Sequence, residues 1–282
     1  IKVGSKVKGI LPGDRVASNG PHGEYVNVPQ NLCAKIPNNV SDESAAFTVL
    51  ASIGLQGIRL ADPKFGETFL VIGLGVIGLL TAQILESNGC KVLGVDPDSE
   101  KCKLANQFGI ETLILSGKSN PIDWSLSKTS GIGVDGVLIT AATSSNDPIT
   151  LASSASRTRG RIILVGVTGL DLRRDLFYKK ELTFQVSCSY GPGRYDSNYE
   201  VNGNDYPIGF VRWTENRNFQ SILEALSKEK LVTDILISHR YKFENATQAY
   251  DLLLSKEKYL GILLEYSKKD KIASQTLTLQ KK

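Results

Sequence analysis

Glu67-Thr68-Phe69-Leu70-Val71-Ile72-Gly73-Leu74-Gly75-Val76-Ile77-Gly78-Leu79-Leu80 is the stretch that decides the fold. An apolar run short enough for a buried strand meets glycines at 73, 75 and 78, and an apolar segment with helical spacing follows. Gly73 permits a sharp turn, Gly75 lets the backbone approach a pyrophosphate, and Gly78 lets the helix pack closely on its strand. A helix opening here directs its free N–H groups and positive dipole end at phosphate. Lys91-Val92-Leu93-Gly94-Val95-Asp96 reads as the next strand, and Asp96 falls about 20 residues beyond the glycines, where a carboxylate accepts the adenosine ribose hydroxyls. That carboxylate would repel a 2′-phosphate, and Pro97 and Asp98 follow it with no arginine, so NAD is expected rather than NADP. The competing reading is a turn that merely needs glycines, with Asp96 as a helix cap. It leaves the register of strand, turn, helix and acid unexplained.

Outward from this turn the alternation continues. Residues 100–108 read as a helix closed by Gly109, 112–115 as a strand, and 121–127 as a short helix. Strands are expected at 134–140, 161–166 and 182–188, with a helix over 147–157. Val, Ile and Leu strands alternating with helices indicate an α/β fold, a Rossmann doubly wound parallel sheet covered on both faces. Ligands in such sheets sit at the carboxyl ends of the strands. One rim should therefore carry 73–78, Asp96, 140–143, 165–168 and 187–190. Upstream, Pro12-Gly13-Asp14-Arg15-Val16 is a turn feeding a strand, and 23–29 alternates as a half-exposed strand. Ser41 is placed to cap a helix running from about 45 to 60. Residues 190–218 alternate turn formers with aromatics, a loop of a length that is usually functional. A helix over 219–228, a strand near 235–241, a helix over 244–254 and a strand over 261–266 follow. From Ser267 the chain is polar and lysine-rich, as in a linker or tail.

The totals exclude several classes. The 282 residues are 41% hydrophobic and 22% charged, with a net charge of +4. These values suit a globular protein and give no basic patch for nucleic acid. Cys33, Cys90, Cys102 and Cys188 lie far apart with no C-x-x-C, and read as reduced, mostly buried thiols. No stretch has the length of a membrane span or a signal peptide, and the cytoplasm is the expected compartment. There is no methionine, and the chain opens as if inside a strand-rich domain, so a fragment is expected.

With the strand-rich start, helix, glycine turn and ending in place, the sequence resembles the medium-chain dehydrogenase/reductase superfamily, zinc-type alcohol dehydrogenase-like. Pro12-Gly13-Asp14-Arg15-Val16, residues 32–47, Ile237-Ser238-His239-Arg240 and Ala249-Tyr250-Asp251-Leu252 carry the likeness, which spans 1 to about 266. Ser189-Tyr190-Gly191-Pro192-Gly193-Arg194-Tyr195 and Val211-Arg212-Trp213-Thr214-Glu215-Asn216-Arg217-Asn218 resemble the bi-domain branch. In that branch this module precedes a glucose–fructose oxidoreductase-like domain. The resemblance implies four segments. Residues 1–50 would be the remnant of a β-rich GroES-like catalytic domain and 51–188 the NAD-binding Rossmann domain. Residues 189–266 would return to the catalytic domain with a substrate-side loop, and 267–282 would be a linker or tail. It also implies a small-molecule substrate (sugar or polyol), a homodimer and a downstream fused oxidoreductase domain.

By the same resemblance, Gly73, Gly75, Val76, Ile77 and Gly78 hold the pyrophosphate, and Asp96 and Lys101 serve the ribose. Thr140 and Ala141 border the cofactor, and backbone at Val165, Gly166, Val167 and Ser189 contacts the nicotinamide. Leu260 stands where zinc alcohol dehydrogenases direct an arginine at the pyrophosphate. The third catalytic zinc position falls near Thr48, a poor zinc ligand, so no metal is expected.

Hydride transfer needs a positioned nicotinamide and a group that handles the proton. Without zinc, a tyrosine, histidine, lysine or glutamate must do the second job. Tyr190, Tyr195 and Tyr206 are the local candidates, and Arg194 and Arg212 could orient a carboxylate or phosphate. Tyr190, Tyr195 and Arg212 are taken as the catalytic set. Tyrosines in Gly/Pro loops also serve as packing anchors, and Arg212-Trp213 would equally suit an interface. His239 is placed to hold a loop, and Cys188 reads as a buried thiol. An NAD(H)-dependent oxidoreductase is expected. The alternatives are a non-catalytic NAD-binding module and a quinone-reductase-like enzyme, which Asp96 disfavours.

Overall fold

The computed structural model describes residues 2–117 and 120–267. Contacts divide the chain into two compact units at the Leu236/Ile237 boundary. The first opens with β1 (Val16–Ser18) and β2 (Cys33–Lys35), an antiparallel pair, then α1 (Asp42–Ala45) and α2 (Thr48–Ala61). The α/β part follows: β3 (Thr68–Ile72), α3 (Val76–Ser87), β4 (Lys91–Asp96), α4 (Ser99–Gln107), β5 (Glu111–Ile114), α5 (Pro121–Ser127), β6 (Val134–Ile139), α6 (Asp147–Ala155), β7 (Ser156–Leu164), α7 (Arg174–Tyr178) and β8 (Thr183–Val186). It closes with α8 (Ser197–Glu200) and α9 (Glu215–Ser227). The second unit is β9 (Ile237–Lys242), α10 (Ala246–Leu254) and β10 (Gly261–Glu265), a parallel strand pair with its crossover helix.

The six strands from β3 to β8 form one all-parallel sheet in the order β5-β4-β3-β6-β7-β8. This is the doubly wound Rossmann order, with the order reversing at β3 and β6. Leu70, Ile72, Leu93, Val95, Val137, Ile139 and Ile162 pack one core against Ile149, Ala152 and Ala155 of α6. The other face takes α2 and α3, and small residues set the spacing. A Cβ on Gly54 would lie 2.3 Å from the Thr81 hydroxyl of α3, and one on Gly57 would lie 2.5 Å from Val165.

The two edges of the sheet differ in character. At the amino edge Arg157 pairs with Asp135 at 2.6 Å and Arg161 with Glu67 at 2.6 Å, while Asp135 also accepts the Thr68 N–H. Lys180 donates to the carbonyls of Ser153, Ser154 and Ser156, which close α6. The carboxyl edge is instead built of glycine turns, which is where the site lies.

Several expectations are corrected. Residues 23–29 form no strand: Gly23 and Tyr25 lie in bends, and the alternation finds no partner strand. The helix placed at 45–60 is broken at Ala46 and Phe47, with Ser41 capping only the first piece through the Ser44 N–H. α9 begins at Glu215, four residues ahead of expectation, because Thr214 caps it by accepting the Arg217 N–H. Cys188 is exposed rather than buried, and Cys33 is half-buried, whereas Cys90 and Cys102 are buried. Among the described residues no helix is long and apolar enough to cross a membrane. The expected linker from 267 lies outside the described residues beyond Ser267.

Gly136 gives the test of this packing. A Cβ there would lie 2.2 Å from the fully buried Phe69 ring, which has nowhere to retreat. Gly136→Ala is expected to cost about 1–3 kcal/mol in urea unfolding, and Phe69→Leu on top of it should recover part of the loss.

Candidate cofactor site

The glycine turn has the backbone that its residues were expected to give. Gly73 has φ +94°, in the left-handed region, and a Cβ there would lie 2.7 Å from the Ala141 nitrogen. A Cβ on Gly78 would stand 2.0 Å from the Gly73 carbonyl oxygen, so any side chain at 78 would force α3 off the turn. Thr140, just past β6, donates its hydroxyl to that same carbonyl at 2.6 Å. Gly75, the residue before α3, has no side chain to cap the helix, and a Cβ on it would meet nothing within 4 Å. The first helical bond runs from Leu79 N–H to Gly75 O at 2.9 Å, which leaves the amides of Val76, Ile77 and Gly78 unspent at the helix start. Open space, three free donors and the positive end of a helix dipole make an anion cradle.

Asp96 ends β4 beside this cradle and is buried. Its carboxylate accepts the Leu74 N–H through Oδ2 at 2.7 Å and the Asp98 N–H through Oδ1 at 2.8 Å. An ionised carboxylate has about four acceptor directions, so roughly half remain for a ligand's hydroxyls. Lys101 lies half-buried on α4. Across the sheet's switch point, the segments after β6 and β7 are laced together. The Val167 N–H donates to Ala141 O at 3.0 Å and the Thr143 N–H to Val167 O at 2.8 Å. Gly166 is there because a Cβ would lie 2.2 Å from the Ala141 carbonyl. Val167 is exposed, Val165 half-buried, and Ser189 takes φ +47° beyond β8. The turn glycines, Val76, Ile77, Asp96, Thr140, Ala141, Val165, Gly166, Val167 and Ser189 thus all follow or end strands at the carboxyl edge.

The three residues proposed for catalysis differ in their surroundings. Tyr190 is buried, its ring tilted against Phe219 at 5.3 Å, and its hydroxyl is bonded to the Asn19 amide. Burial pushes its phenol up to about 12. Tyr195 is 74% exposed with φ +68°, and Arg194 stacks on its ring at 4.1 Å. Tyr206, the third tyrosine of the loop, donates to Asp196 at 2.5 Å, and that bond pushes its phenol to about 12. Arg212 lies over Trp213, 3.8 Å from the ring centroid. In the second unit His239 holds a ring nitrogen 2.9 Å from the Ser238 hydroxyl, which accepts the Leu260 N–H and donates to Gly261 O.

Residues 76–201 match the family model described as zinc-binding dehydrogenase. D-xylulose reductase of Scheffersomyces stipitis is 29% identical over 255 residues, covering 86% of this chain and 63% of the reductase. L-idonate 5-dehydrogenase of Vitis vinifera is 28% identical over 276 residues, 86% of this chain and 69% of its own. The solved 2R,3R-butanediol dehydrogenase from Bacillus subtilis superposes with a TM-score of 0.73 at 20% identity, over 93% of this chain and 77% of that one. By sequence the chain is similar to zinc-type dehydrogenases, and the solved structure shares its fold. The chain thus spans just under two thirds of that reductase.

The likeness to zinc-binding dehydrogenases raises the question of a metal, and the described residues do not make a zinc site. Among them no three His, Cys, Asp or Glu side chains group as metal ligands. Thr48, near the position that the resemblance marks, is fully buried and donates its hydroxyl to Ala45 O at 2.6 Å. The cofactor cradle, in contrast, fits a dinucleotide.

One residue was missed by the sequence reading. Glu215 is fully buried at the start of α9, and among the described residues neither carboxylate oxygen has a hydrogen-bond partner. Burial, and then Glu200 nearby, push its carboxyl up to about 8, against the pull of Arg194. The Thr214-Glu215 helix start was a legible signal for the cap, but nothing local marks the acid as buried. A carboxyl whose folded value is raised loses stability as pH rises above its unfolded value and through about 8. Glu215→Gln should therefore gain on the native chain by more than about 1 kcal/mol between pH 5 and pH 9 in denaturant titrations, with no further change above. A difference that does not vary with pH would contradict it.

Proposed function

We propose that this chain is the nucleotide-binding part of an NAD(H)-dependent oxidoreductase that moves hydride to or from a carbinol carbon of a polyol, sugar or sugar derivative. The observation that carries the reading is the Asp96 carboxylate, bonded to the Leu74 amide inside the glycine turn and so fixed beside the open cradle at Gly75. The amides of Val76, Ile77 and Gly78 would hold the pyrophosphate, and the remaining acceptor directions of Asp96 the adenosine ribose hydroxyls, with Lys101 flanking. A 2′-phosphate would meet that carboxylate, which favours NAD over NADP. Thr140, Ala141, Val165, Gly166, Val167 and Ser189 would border the nicotinamide, which supplies the hydride acceptor or donor when bound. The names of the relatives, a xylulose reductase and an idonate dehydrogenase, support polyols and sugar acids as the substrate class.

We read the chemistry as zinc-independent, with the proton handled by a side chain of the 190–206 loop. Tyr195 is our choice among the tyrosines, since Tyr190 and Tyr206 have engaged hydroxyls and phenols raised to about 12, far from a working pH. That engagement also favours a second reading, a cofactor-binding module without turnover of its own. The bi-domain branch, with its downstream fused domain, rests on residues 189–195 and 211–218 alone.

Calorimetric titration of NADH and NADPH into the chain and into Asp96→Ala tests the core of the reading. NADH should bind at least about tenfold more tightly than NADPH, and the variant should lose the preference. Asp96→Ala also frees the Leu74 and Asp98 amides, so urea unfolding must show a folded variant. Equal affinity for both dinucleotides in the native chain would refute the assignment to Asp96.

A further inference from the structure

On the outer side of α2 and α9, away from the glycine turn, one indole carries two guanidinium groups. The Arg59 Cζ lies 3.5 Å from the Trp213 ring centroid and the Arg212 Cζ 3.8 Å. At those distances both cannot share a face, so each takes its own. Burial, with Arg212 next, lowers the Arg59 pKa to about 10, which leaves it charged at neutral pH. Arg59 donates to Asn218 Oδ1 at 2.7 Å and to the Ser221 hydroxyl, both neutral. The acids nearby are engaged elsewhere: Asp62 with Lys64, Asp205 with Arg217, and Glu224 with Lys228. Among the described residues neither Arg59 nor Arg212 forms an ion pair.

Beside this stack lies a cavity of about 580 Å³ with Leu55, Ile58 and Ile84 on its apolar wall and Ser87, Asn88 and Lys230 on its polar side. That volume is in the range of small-molecule sites. A second hollow of about 390 Å³ adjoins it, sharing Trp213, Ser221 and Glu224 and adding Arg212. The cavity touches the last turn of α3, whereas the glycine turn is at the first. A 12-residue helix is about 18 Å long, so the two sites are separate.

We infer that Arg59, Trp213 and Arg212 form a second ligand site, taking the phosphoryl group of a small sugar or polyol phosphate whose body enters the adjoining cavity. Arg59 spends Nε and Nη2 on Asn218 and Ser221, so its Nη1 and the Arg212 guanidinium are the donors that remain at the edge of the indole. With the nearby acids each paired to another cation, the two arginine charges suit a phosphoryl dianion. The mixed wall of the cavity suits a hydroxylated carbon chain, with Ser87, Asn88 and Ser221 as hydroxyl partners. Three carboxylates line the two hollows, and each is paired: Glu224 with Lys228 at 2.5 Å, Asp62 with Lys64 and Asp205 with Arg217.

The chain has two tryptophans, so Trp124→Phe leaves Trp213 as the sole indole reporter. Glucose 6-phosphate, fructose 6-phosphate, glucose and inorganic phosphate are titrated into this variant and into its Arg212→Gln derivative, by emission and by calorimetry. Arg212 is exposed, so its loss should not unfold the chain. A sugar phosphate should bind saturably and more tightly than inorganic phosphate, glucose should not bind, and Arg212→Gln should weaken the sugar phosphate roughly tenfold. The proposal is overturned if neither sugar phosphate binds by either method, if Arg212→Gln binds it equally well, or if inorganic phosphate or glucose binds as tightly.

Discussion

The hydrogen bond from the Leu74 amide to Asp96 Oδ2 is the constraint on which the carboxyl edge of the sheet depends. It joins the turn after β3 to the end of β4, and Oδ1 then fixes the start of α4 through Asp98. The turn cannot open without exposing a buried carboxylate and freeing two amides, each costly in a packed interior. Thr140 completes the constraint from the other side by donating to Gly73 O, the same atom that forbids a side chain at 78. Three strand ends are thereby tied to one turn of backbone, and the open volume before α3 is what remains.

The distribution of charge over the sheet follows from this. Parallel strands carry all their starts to one edge and all their ends to the other. At the amino edge Glu67, Asp135, Arg157 and Arg161 neutralise one another, which closes it with the side chains of the fold itself. At the carboxyl edge the backbone is brought close by Gly73, Gly78 and Gly166, and polar groups are left for a ligand. Unspent helix amides thus stand at one edge, and mutually satisfied ion pairs at the other.

The sheet and the turn were legible because local pattern and tertiary demand agree there. Residues 68–72, 91–96 and 134–139 are apolar runs of strand length, and the spacing of Gly73, Gly75 and Gly78 has a mechanical meaning that no packing detail alters. The strand read at 23–29 failed because alternation shows only that a segment could pair, and none of the described strands pairs with it. Cys188 was misjudged for a similar reason: β8 is an edge strand with Val186 exposed beside it, and edge position is a property of the sheet order. The buried Glu215 and the Arg59–Trp213–Arg212 stack join residues far apart in the chain through the packing of α9 on α2. No window of sequence contains either.

Glu215 at the start of α9 and the stack beside it are opposite answers to the same problem of an uncompensated charge in a partly dry setting. Glu215 can discharge itself: with its carboxyl raised to about 8 it takes up a proton near neutrality, and the packing around Tyr190 and Arg194 then surrounds a neutral acid. An arginine has no such exit. Even lowered to about 10, Arg59 keeps its proton at any physiological pH, and Arg212 on the other face of Trp213 adds a second charge of the same sign. The indole faces soften that repulsion through their quadrupole but carry no net charge to cancel it. What the acid settles with a proton, the arginines can settle only with a counter-ion, and the cavity beside them gives that ion room for a body as well as a head.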